Sequence, residues 1–325
     1  MKIWYDACTG KHARYGFAIS QRLKSLGHDV VLTTRRHPDT LALLDLLGAD
    51  FEIVGEYSPT SALSRLQKSL ERQLAFSKMF GSQPPNYAIS HGSIDLCRVA
   101  FGLGVNLLST ADAPHAVAAN KLALPLVDIL ITSKAIPTQE YEKFGVKKII
   151  QFDGVDEVAW IKESEPQRKE HDRSLIVVRQ METMASYAKD TPDTTEQIAL
   201  KLASLGDVLF IPRYERRHRP GLTVPSDFVD SVKLAAKADL VISVGGTISR
   251  EAALQGTPSI VIHTFGRSYV NNYLTNCGFP LFTSEPNEVL KLARKHVGQK
   301  WDVKRRLQQL ENPVDCIEKI VQQAL

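Results

Sequence analysis

Short apolar runs alternate with longer amphipathic stretches along nearly the whole sequence, and this alternation restricts the fold more than any other feature. It is typical of βα units arranged around parallel sheets. The apolar runs of the first half predict strands at residues 2–5, 29–33, 51–54, 87–90, 106–109, 129–133 and 148–152. The stretches between them predict helices at residues 16–26, 38–47, 63–79, 94–102 and 113–124.

The same alternation restarts in the second half of the chain. Its segments are residues 175–179, 194–203, 208–212, 228–236, 240–244, 249–255, 259–262 and 270–276, followed by helices at 288–297 and 314–325. A chain of 325 residues is longer than one compact core usually fills. Residues 162–173 are polar and highly charged, which is typical of a linker. We therefore predict two α/β domains, at residues 1–165 and 166–325.

The helix predicted at residues 63–79 has apolar residues at a spacing of three to four. They are Leu63, Leu66, Leu70 and Leu74. This spacing makes one apolar stripe along the helix.

The charge balance is only mildly basic. The chain has 40 Lys and Arg against 36 Asp and Glu, and its basic clusters at residues 213–219 and 300–306 are short. Nucleic-acid binders concentrate basic residues on one face, so no nucleic-acid partner is expected. The second cluster contains Trp301 and leaves two alternatives, weak association with an anionic membrane or a helix that packs the tryptophan into the core.

The cysteines indicate a reducing setting. Cys8, Cys97, Cys277 and Cys316 lie far apart, without the spacing of a disulfide framework or a zinc site. The N-terminus runs directly into a predicted strand, and no apolar stretch approaches the roughly 20 residues that span a bilayer. We expect a cytoplasmic protein.

A buried strand at residues 240–244 ends in Gly245 and Gly246 and opens a helix. Glycines allow a ligand to approach the backbone closely, and the free N–H groups at a helix N-terminus suit a phosphate. Thr247 and Glu251 share one helix face, where the carboxylate could accept hydrogen bonds from a ribose. The alternative is a tight turn with Glu251 paired to an arginine. The strand that follows completes a βαβ unit and favours a ligand site.

Arg179 and Arg213 follow two other strands of the second half. Open α/β sheets bind ligands at strand ends, and an arginine there can hold a phosphate through two hydrogen bonds without a metal. The alternative for each arginine is a salt bridge between the domains.

Polar residues also follow strands of the first half. His91 comes after the strand at 87–90, and Asp112 and His115 come after the strand at 106–109. A histidine is the usual general base for an acceptor hydroxyl, and an aspartate can orient it. The alternative for each histidine is a hydrogen-bonded loop residue. Further candidates are Asp6, His12 and Glu157.

The sequence has no cluster with metal-ligand spacing and no Asp-x-Asp pair at a strand end. We expect a site without metal or cofactor, built from N–H groups and arginines. Walker-type loops and the G-x-G-x-x-G fingerprint are absent, which excludes kinases and dehydrogenases of those types.

The motif at residues 238–258 resembles the nucleotide-sugar loop of GT-B-fold proteins. These include the lipid-linked N-acetylglucosaminyltransferase of peptidoglycan synthesis and the non-hydrolysing UDP-N-acetylglucosamine 2-epimerases. The whole chain resembles a poorly characterised, largely archaeal family of GT-B-like proteins of unknown function. The segments that carry this second resemblance are residues 4–6, 27–30, 33–35, 98–104, 120–122 and 177–179.

The resemblance implies two Rossmann-like domains with parallel sheets facing a central cleft. The C-terminal domain would hold a nucleoside diphosphate sugar with UDP as the expected nucleotide. Its diphosphate would lie at Gly245, Gly246 and Thr247, and its ribose at Glu251. The N-terminal loop 6–12 would face the sugar or an unknown acceptor. The last helix would cross back to the first domain.

Three functions remain open on these grounds. The first is a metal-independent glycosyltransferase. The second is a non-catalytic nucleotide-binding protein, since Gly10 is the only glycine of the first loop. The third is a 2-epimerase, which needs carboxylates and a histidine around the sugar ring. Asp6 and Asp112 are the chief acidic residues that the sequence offers for it.

Overall fold

The computed structural model describes residues 1–58, 60–164, 166, 168–184, 192–262 and 268–323. The chain divides into two compact units: Met1–Trp160 with Glu311–Leu325 form the first, and Ile161–Leu310 form the second. The division falls at residues 160 and 161, ahead of the boundary predicted at residues 165 and 166. Residues 165 and 167 of the predicted linker, and 324 and 325 of the last predicted helix, lie outside the described residues.

The first unit contains a seven-stranded sheet in the order β3-β2-β1-β4-β5-β6-β7, with all neighbours parallel. Its strands are β1 (Lys2–Ala7), β2 (Asp29–Arg36), β3 (Glu52–Glu56), β4 (Tyr87–Ser90), β5 (Asn106–Thr110), β6 (Ile129–Ser133) and β7 (Ile149–Phe152). Its helices are α1 (Gly10–Ser25), α2 (Pro38–Leu46), α3 (Ala62–Phe80), α4 (Ile94–Gly102), α5 (Val117–Ala123) and α6 (Gln139–Glu142), and α7 (Val158–Ile161) follows at the division.

The second unit contains a five-stranded parallel sheet in the order β12-β11-β10-β8-β9. Its strands are β8 (Leu175–Arg179), β9 (Asp207–Ile211), β10 (Leu240–Ser243), β11 (Ser259–Ile262) and β12 (Leu281–Ser284). Its helices are α8 (Thr195–Leu202), α9 (Ser231–Lys237), α10 (Thr247–Leu254), α11 (Tyr269–Asn276), α12 (Val289–His296) and α13 (Lys304–Gln309). The α/β class with two parallel sheets is therefore confirmed.

The first helix begins earlier than its apolar pattern predicts. Helix α1 starts at Gly10, not at residue 16, because Thr9 caps it: the Thr9 hydroxyl accepts a hydrogen bond from the backbone N–H of His12. The loop that was expected to extend to residue 12 is thus partly the first turn of a helix. This geometry fixes the direction of the side chains of Lys11 and His12.

Helix α14 (Pro313–Gln322) belongs to the first unit, where it packs against α1. Val314, Ile317 and Val321 are buried. At its edge, Arg22 of α1 lies 2.8 Å from Asp315 and 2.6 Å from Glu318.

Helix α3 packs only one of its faces against the sheet. Its buried residues are Arg72, Phe76 and Phe80, and the rings of Phe76 and Phe80 lie 4.7 and 4.5 Å from the ring of Trp4 on β1. An amphipathic helix usually turns its apolar stripe to the core, but the leucine stripe of α3 is exposed.

The basic segment at residues 300–306 contains a lysine that is largely withdrawn from solvent. The Lys300 ammonium donates to the carbonyl oxygens of Ala236 and Ala238, at the end of α9, and to the hydroxyl of Thr257. Trp301 is half-buried, with its ring 6.3 Å from that of Phe282. No helix among the described residues is long and apolar enough to cross a membrane.

Burial lowers the pKa of Lys300 to about 8. Between that pH and the pKa of about 10.4 of an unfolded chain, only the unfolded state is protonated, so stability rises with pH in this window. We expect the free energy of unfolding to increase from pH 8 toward pH 10 in the wild type, and less steeply in Lys300→Met. Urea denaturation at several pH values measures both slopes, with Lys304→Met as an exposed control. Equal slopes in all three proteins would contradict the prediction.

Candidate functional site

The strand order of the first unit reverses between β1 and β4. In open α/β sheets, ligands bind beyond the carboxyl ends of the strands at such a point. The segments that follow β1, β4, β5 and β7 all emerge at this edge of the sheet, because the strands are parallel. They carry most of the residues that were predicted for the first half.

Asp6, at the end of β1, is fully buried and held from several sides. Its carboxylate accepts hydrogen bonds from Arg72 at 2.5 and 2.9 Å, from Ser93 at 2.5 Å and from Thr33 at 2.8 Å. Burial alone would raise the pKa of Asp6, but the Arg72 guanidinium and these hydrogen bonds outweigh it and lower that pKa. Asp6 therefore forms a buried ion pair that ties β1 to α3 and to the start of α4.

An acid-base cluster lies at the same edge and consists of Lys11, His91, Asp112, Asp156 and Glu157. The Nζ of Lys11 lies 2.5 Å from Oδ2 of Asp112, 2.8 Å from Oδ2 of Asp156 and 3.8 Å from Oε1 of Glu157. At most 15% of any of the five side chains is exposed. Three carboxylates thus share one ammonium in a poorly solvated place, where charges interact more strongly than in water.

His91 is oriented toward the carboxylates of this cluster. Its Nδ1 lies 2.6 Å from the hydroxyl of Thr110. Its Nε2 lies 3.6 Å from Oδ1 of Asp112 and 3.9 Å from Oδ2 of Asp156. A histidine fixed through one nitrogen presents the other for proton transfer.

His12 lies beside His91, with 5.0 Å between the ring centres. Burial, and then the proximity of His91 and of the positively charged Lys11 and Arg35, lower the pKa of His12 well below its usual value. The ring is therefore neutral at neutral pH. Its Nδ1 accepts a hydrogen bond from the backbone N–H of Cys8, which leaves the proton on Nε2. In this arrangement His12 is a hydrogen-bond donor to the site.

The structure separates the residues predicted for the first half. His91, Asp112 and Glu157 belong to the cluster, whereas His115 lies exposed in the turn before α5. Sequence reasoning missed Lys11 and Asp156 as site residues. Both follow the carboxyl end of a strand, which is the signal that identified the others.

Part of this cluster also has the ligand types of a metal site. One atom each from His91, Asp112 and Asp156 lies within 4.8 Å of the other two. The Lys11 ammonium lies between the two aspartates, so a metal ion would have to displace it. The lysine supplies the positive charge that a cation would otherwise provide.

The second unit reverses its strand order between β8 and β10, and the loop Val244–Gly246 emerges at that point, ahead of α10. Gly245 is exposed, and Gly246 is the N-cap residue of the helix without a side-chain cap. A Cβ on Gly246 would overlap the guanidinium of Arg250 and lie 2.7 Å from its Cζ, whereas a Cβ on Gly245 would meet only Arg213, at 3.7 Å. A larger residue at 246 would therefore displace the Arg250 guanidinium from the loop.

Two guanidinium groups converge on this loop. Arg250 is buried beneath Gly246, and Arg213 reaches Gly245 while its Nε donates to the carbonyl oxygen of Gln180. Arg179 instead donates to the carbonyl oxygen of Pro212. Sequence reasoning missed Arg250 as a site residue, although it belongs to the motif that carried the resemblance.

Glu251, the residue predicted to bind a ribose, is fully buried in α10. Thr247, one turn earlier on the same helix face, is half-buried. A ribose could reach the Glu251 carboxylate only after neighbouring residues move.

The comparisons with known proteins agree with this architecture. Residues 1–325 match the model of a family described as a protein of unknown function, DUF354. The chain belongs to this family. The uncharacterized protein MJ0665 of Methanocaldococcus jannaschii is 26% identical over an alignment of 335 positions, which covers 98% of this chain and 96% of the relative. The resemblance to a family of unknown function with an archaeal member is thereby confirmed.

Solved structures of nucleotide-sugar enzymes share the fold. The Methanocaldococcus jannaschii UDP-GlcNAc 2-epimerase, in complex with UDP-GlcNAc and UDP, is similar with a TM-score of 0.72 and 12% identity over 99% of this chain and 100% of that one. The spinosyn forosaminyltransferase SpnP is similar with a TM-score of 0.62 and 14% identity over 99% of both chains. At these identities the likeness concerns the fold, and it confirms the GT-B-like class.

Proposed function

We propose that this protein binds a nucleoside diphosphate sugar and breaks the bond between the sugar and the diphosphate. The observation that carries the proposal is the convergence of Arg213 and Arg250 on the Gly245–Gly246 loop at the start of α10. The N-terminus of α10 and two guanidinium groups make an anion-binding environment without a metal, in which Nη1 of Arg213 also lies 3.4 Å from Oε2 of Glu182. Sharing a fold with UDP-sugar enzymes supports a nucleotide, and UDP is our first choice.

The reaction that we propose first is glycosyl transfer. The bond between the sugar C1 and the diphosphate oxygen breaks, and the oxygen of an acceptor hydroxyl forms the new bond to C1. His91, with Asp112 beside its Nε2, takes the proton of that hydroxyl. Arg213, Arg250 and the N-terminus of α10 stabilise the negative charge on the departing diphosphate.

A specific observation also favours a nucleotide-sugar 2-epimerase as a second candidate. Such an enzyme takes a proton from the sugar C2 while the bond from C1 to the diphosphate breaks and a C1=C2 double bond forms. The reverse addition rebinds the diphosphate to C1 and delivers a proton to the other face of C2, so the reaction needs more than one acid-base group at the sugar. The sequence offered chiefly Asp6 and Asp112, but the structure gathers Asp112, Asp156 and Glu157 around Lys11. The first-unit site thus contains more carboxylates than the sequence indicated.

One experiment separates these reactions. The protein is incubated with UDP-GlcNAc in deuterated water, with and without a panel of alcohol and sugar acceptors. Deuterium at the sugar C2 identifies the epimerase, and UDP release that requires an acceptor identifies the transferase. UDP binding without either reaction would identify a non-catalytic nucleotide-binding protein, and no binding of any nucleotide or nucleotide sugar would refute the proposal.

The nucleotide site can be tested separately at Gly246, where a side chain would meet the Arg250 guanidinium. Gly246→Ala forces the Arg250 guanidinium away from the loop, and a lost charged hydrogen bond is equivalent to about a tenfold or larger change in affinity. We expect calorimetry to show UDP binding that is at least about tenfold weaker. Gly102→Ala is the control, because a Cβ at Gly102 meets no atom within 4 Å. Equal UDP affinity in Gly246→Ala and the wild type would exclude the loop as the diphosphate site.

A further inference from the structure

The outward face of α3 carries an apolar surface, the leucine stripe, that no other described part of the chain covers. Leu63, Leu66, Leu70 and Leu74 are exposed by 64, 57, 55 and 57%. A single exposed leucine needs no explanation, but a contiguous apolar row along one helix is typical of an interaction surface.

The helix that packs against α3 also has an exposed apolar residue. Helix α4 packs against α3, and Phe101 near its end is 55% exposed. Helix α3 has 19 residues and is about 28 Å long. A specific interface buries about 800 Å² on each partner, so one helix needs such a neighbour to complete it.

The spacing of the stripe suits a second copy of the same chain. A two-fold axis requires a surface that is complementary to itself. If two α3 helices pack antiparallel, Leu63 lies opposite Leu74 of the other copy, and Leu66 lies opposite Leu70. The two leucine pairs are both centred near residue 68 of the helix, so one two-fold axis at that point relates the residues of both pairs.

The charges beside the stripe favour a protein partner over an anionic membrane. A membrane-surface helix carries unpaired lysines and arginines on its polar face. Here Lys68 lies 2.9 Å from both Glu56 and Glu71, so its charge is neutralised within the chain. Arg65 and Lys78 are the other exposed basic residues of α3.

We infer that two copies of this protein associate through the leucine stripes of α3, antiparallel about a two-fold axis near residue 68, with Phe101 at the margin of the interface. The inner face of the same helix carries Arg72, which holds Asp6. The dimer contact therefore supports the helix that anchors the first-unit site, whatever reaction the site performs.

The mass of the full chain in solution tests this inference. Light scattering and sedimentation velocity should give twice 36.1 kDa for the wild type. The double variant Leu66→Glu, Leu70→Glu should give the monomer mass with an unchanged far-ultraviolet circular dichroism spectrum, because these side chains are exposed within the chain. Leu200→Glu, at a leucine that is 46% exposed on α8, is the matched control and should remain dimeric.

Two results would overturn the inference. One is a wild type that stays monomeric across a wide range of protein concentration. The other is a dimer that persists in the double variant. Flotation with phosphatidylglycerol vesicles completes the test, because a monomer that binds vesicles through the stripe would identify a lipid surface as the occupant.

Discussion

Replacing Arg72 by methionine is expected to lower the free energy of unfolding by about 3–5 kcal/mol, because removal of one partner leaves a buried charge without compensation. Arg72 is 2% exposed and Asp6 is fully buried, and the guanidinium holds both carboxylate oxygens. Urea denaturation measures the difference. Arg22→Met is the matched control, since the ion pairs of Arg22 with Asp315 and Glu318 are partly exposed and are expected to contribute about 1 kcal/mol or less.

The loss of stability in Arg72→Met is expected to depend on pH. In the wild type the pKa of Asp6 is lowered, so its contribution to stability is present above an unfolded pKa of about 3.9 and is lost as the pH falls through the folded value. In Arg72→Met, burial acts without the guanidinium and raises the pKa of Asp6. The deficit of the variant should therefore be largest near neutral pH and shrink toward pH 4.

A second variant separates charge from packing. Asp6→Asn with Arg72→Met removes both charges, so it should recover part of the loss that Arg72→Met shows alone. A loss in Arg72→Met no larger than that in Arg22→Met, at every pH, would show that the buried pair does not stabilise the first unit.

Replacing His91 by glutamine is expected to slow turnover of the nucleotide sugar by about 10²- to 10⁴-fold, the usual contribution of a general acid or base. Glutamine can keep a hydrogen bond to Thr110, but it cannot take a proton beside Asp112. The affinity for UDP should stay unchanged, because the proposed diphosphate loop belongs to the second unit. Steady-state kinetics and calorimetry together measure this split between kcat and nucleotide affinity.

His28→Gln is the matched control for His91→Gln. His28 is also buried, but it precedes β2, and its Nδ1 lies 3.4 Å from the N-terminal amine. Its replacement should leave kcat unaltered. A wild-type rate in His91→Gln would remove His91 from the reaction, and a parallel fall in UDP affinity would indicate a general defect of the fold.

The sequence predicted the two sheets well because most strands contain a short unbroken apolar run, such as residues 240–242 and 260–262. It missed β12 (Leu281–Ser284), in which only Leu281 and Ser284 are buried. An edge strand of this kind lacks the apolar run that identifies the central strands.

The hydrophobic periodicity of α3 could not predict which face of the helix packs against the sheet. Spacing shows which residues share a face of a helix, but not which face turns toward the sheet. A second row of residues on α3 faces inward, namely Arg72, Phe76 and Phe80. The two rings pack against Trp4, and the guanidinium forms an ion pair with Asp6. Only the partners in the sheet decide between the two rows.

The candidate site was predicted in part for a similar reason. The ends of strands identified His91 and Asp112, since these follow apolar runs directly. Lys11 and Asp156 come together across 145 residues of sequence, and their contact depends on where β1 and β7 lie in the sheet. The contact between the Arg250 guanidinium and Gly246 likewise depends on three-dimensional packing, so the sequence did not predict it.

The placement of α14 in the first unit has a consequence for synthesis of the chain. Helix α14 packs against α1, but residues 161–310 of the second unit are translated between these two helices. At 5–20 residues per second the ribosome needs roughly 8–30 s to make that segment. The first unit begins before the second and is completed after it, so an α1 surface stays uncovered on the nascent chain throughout that interval.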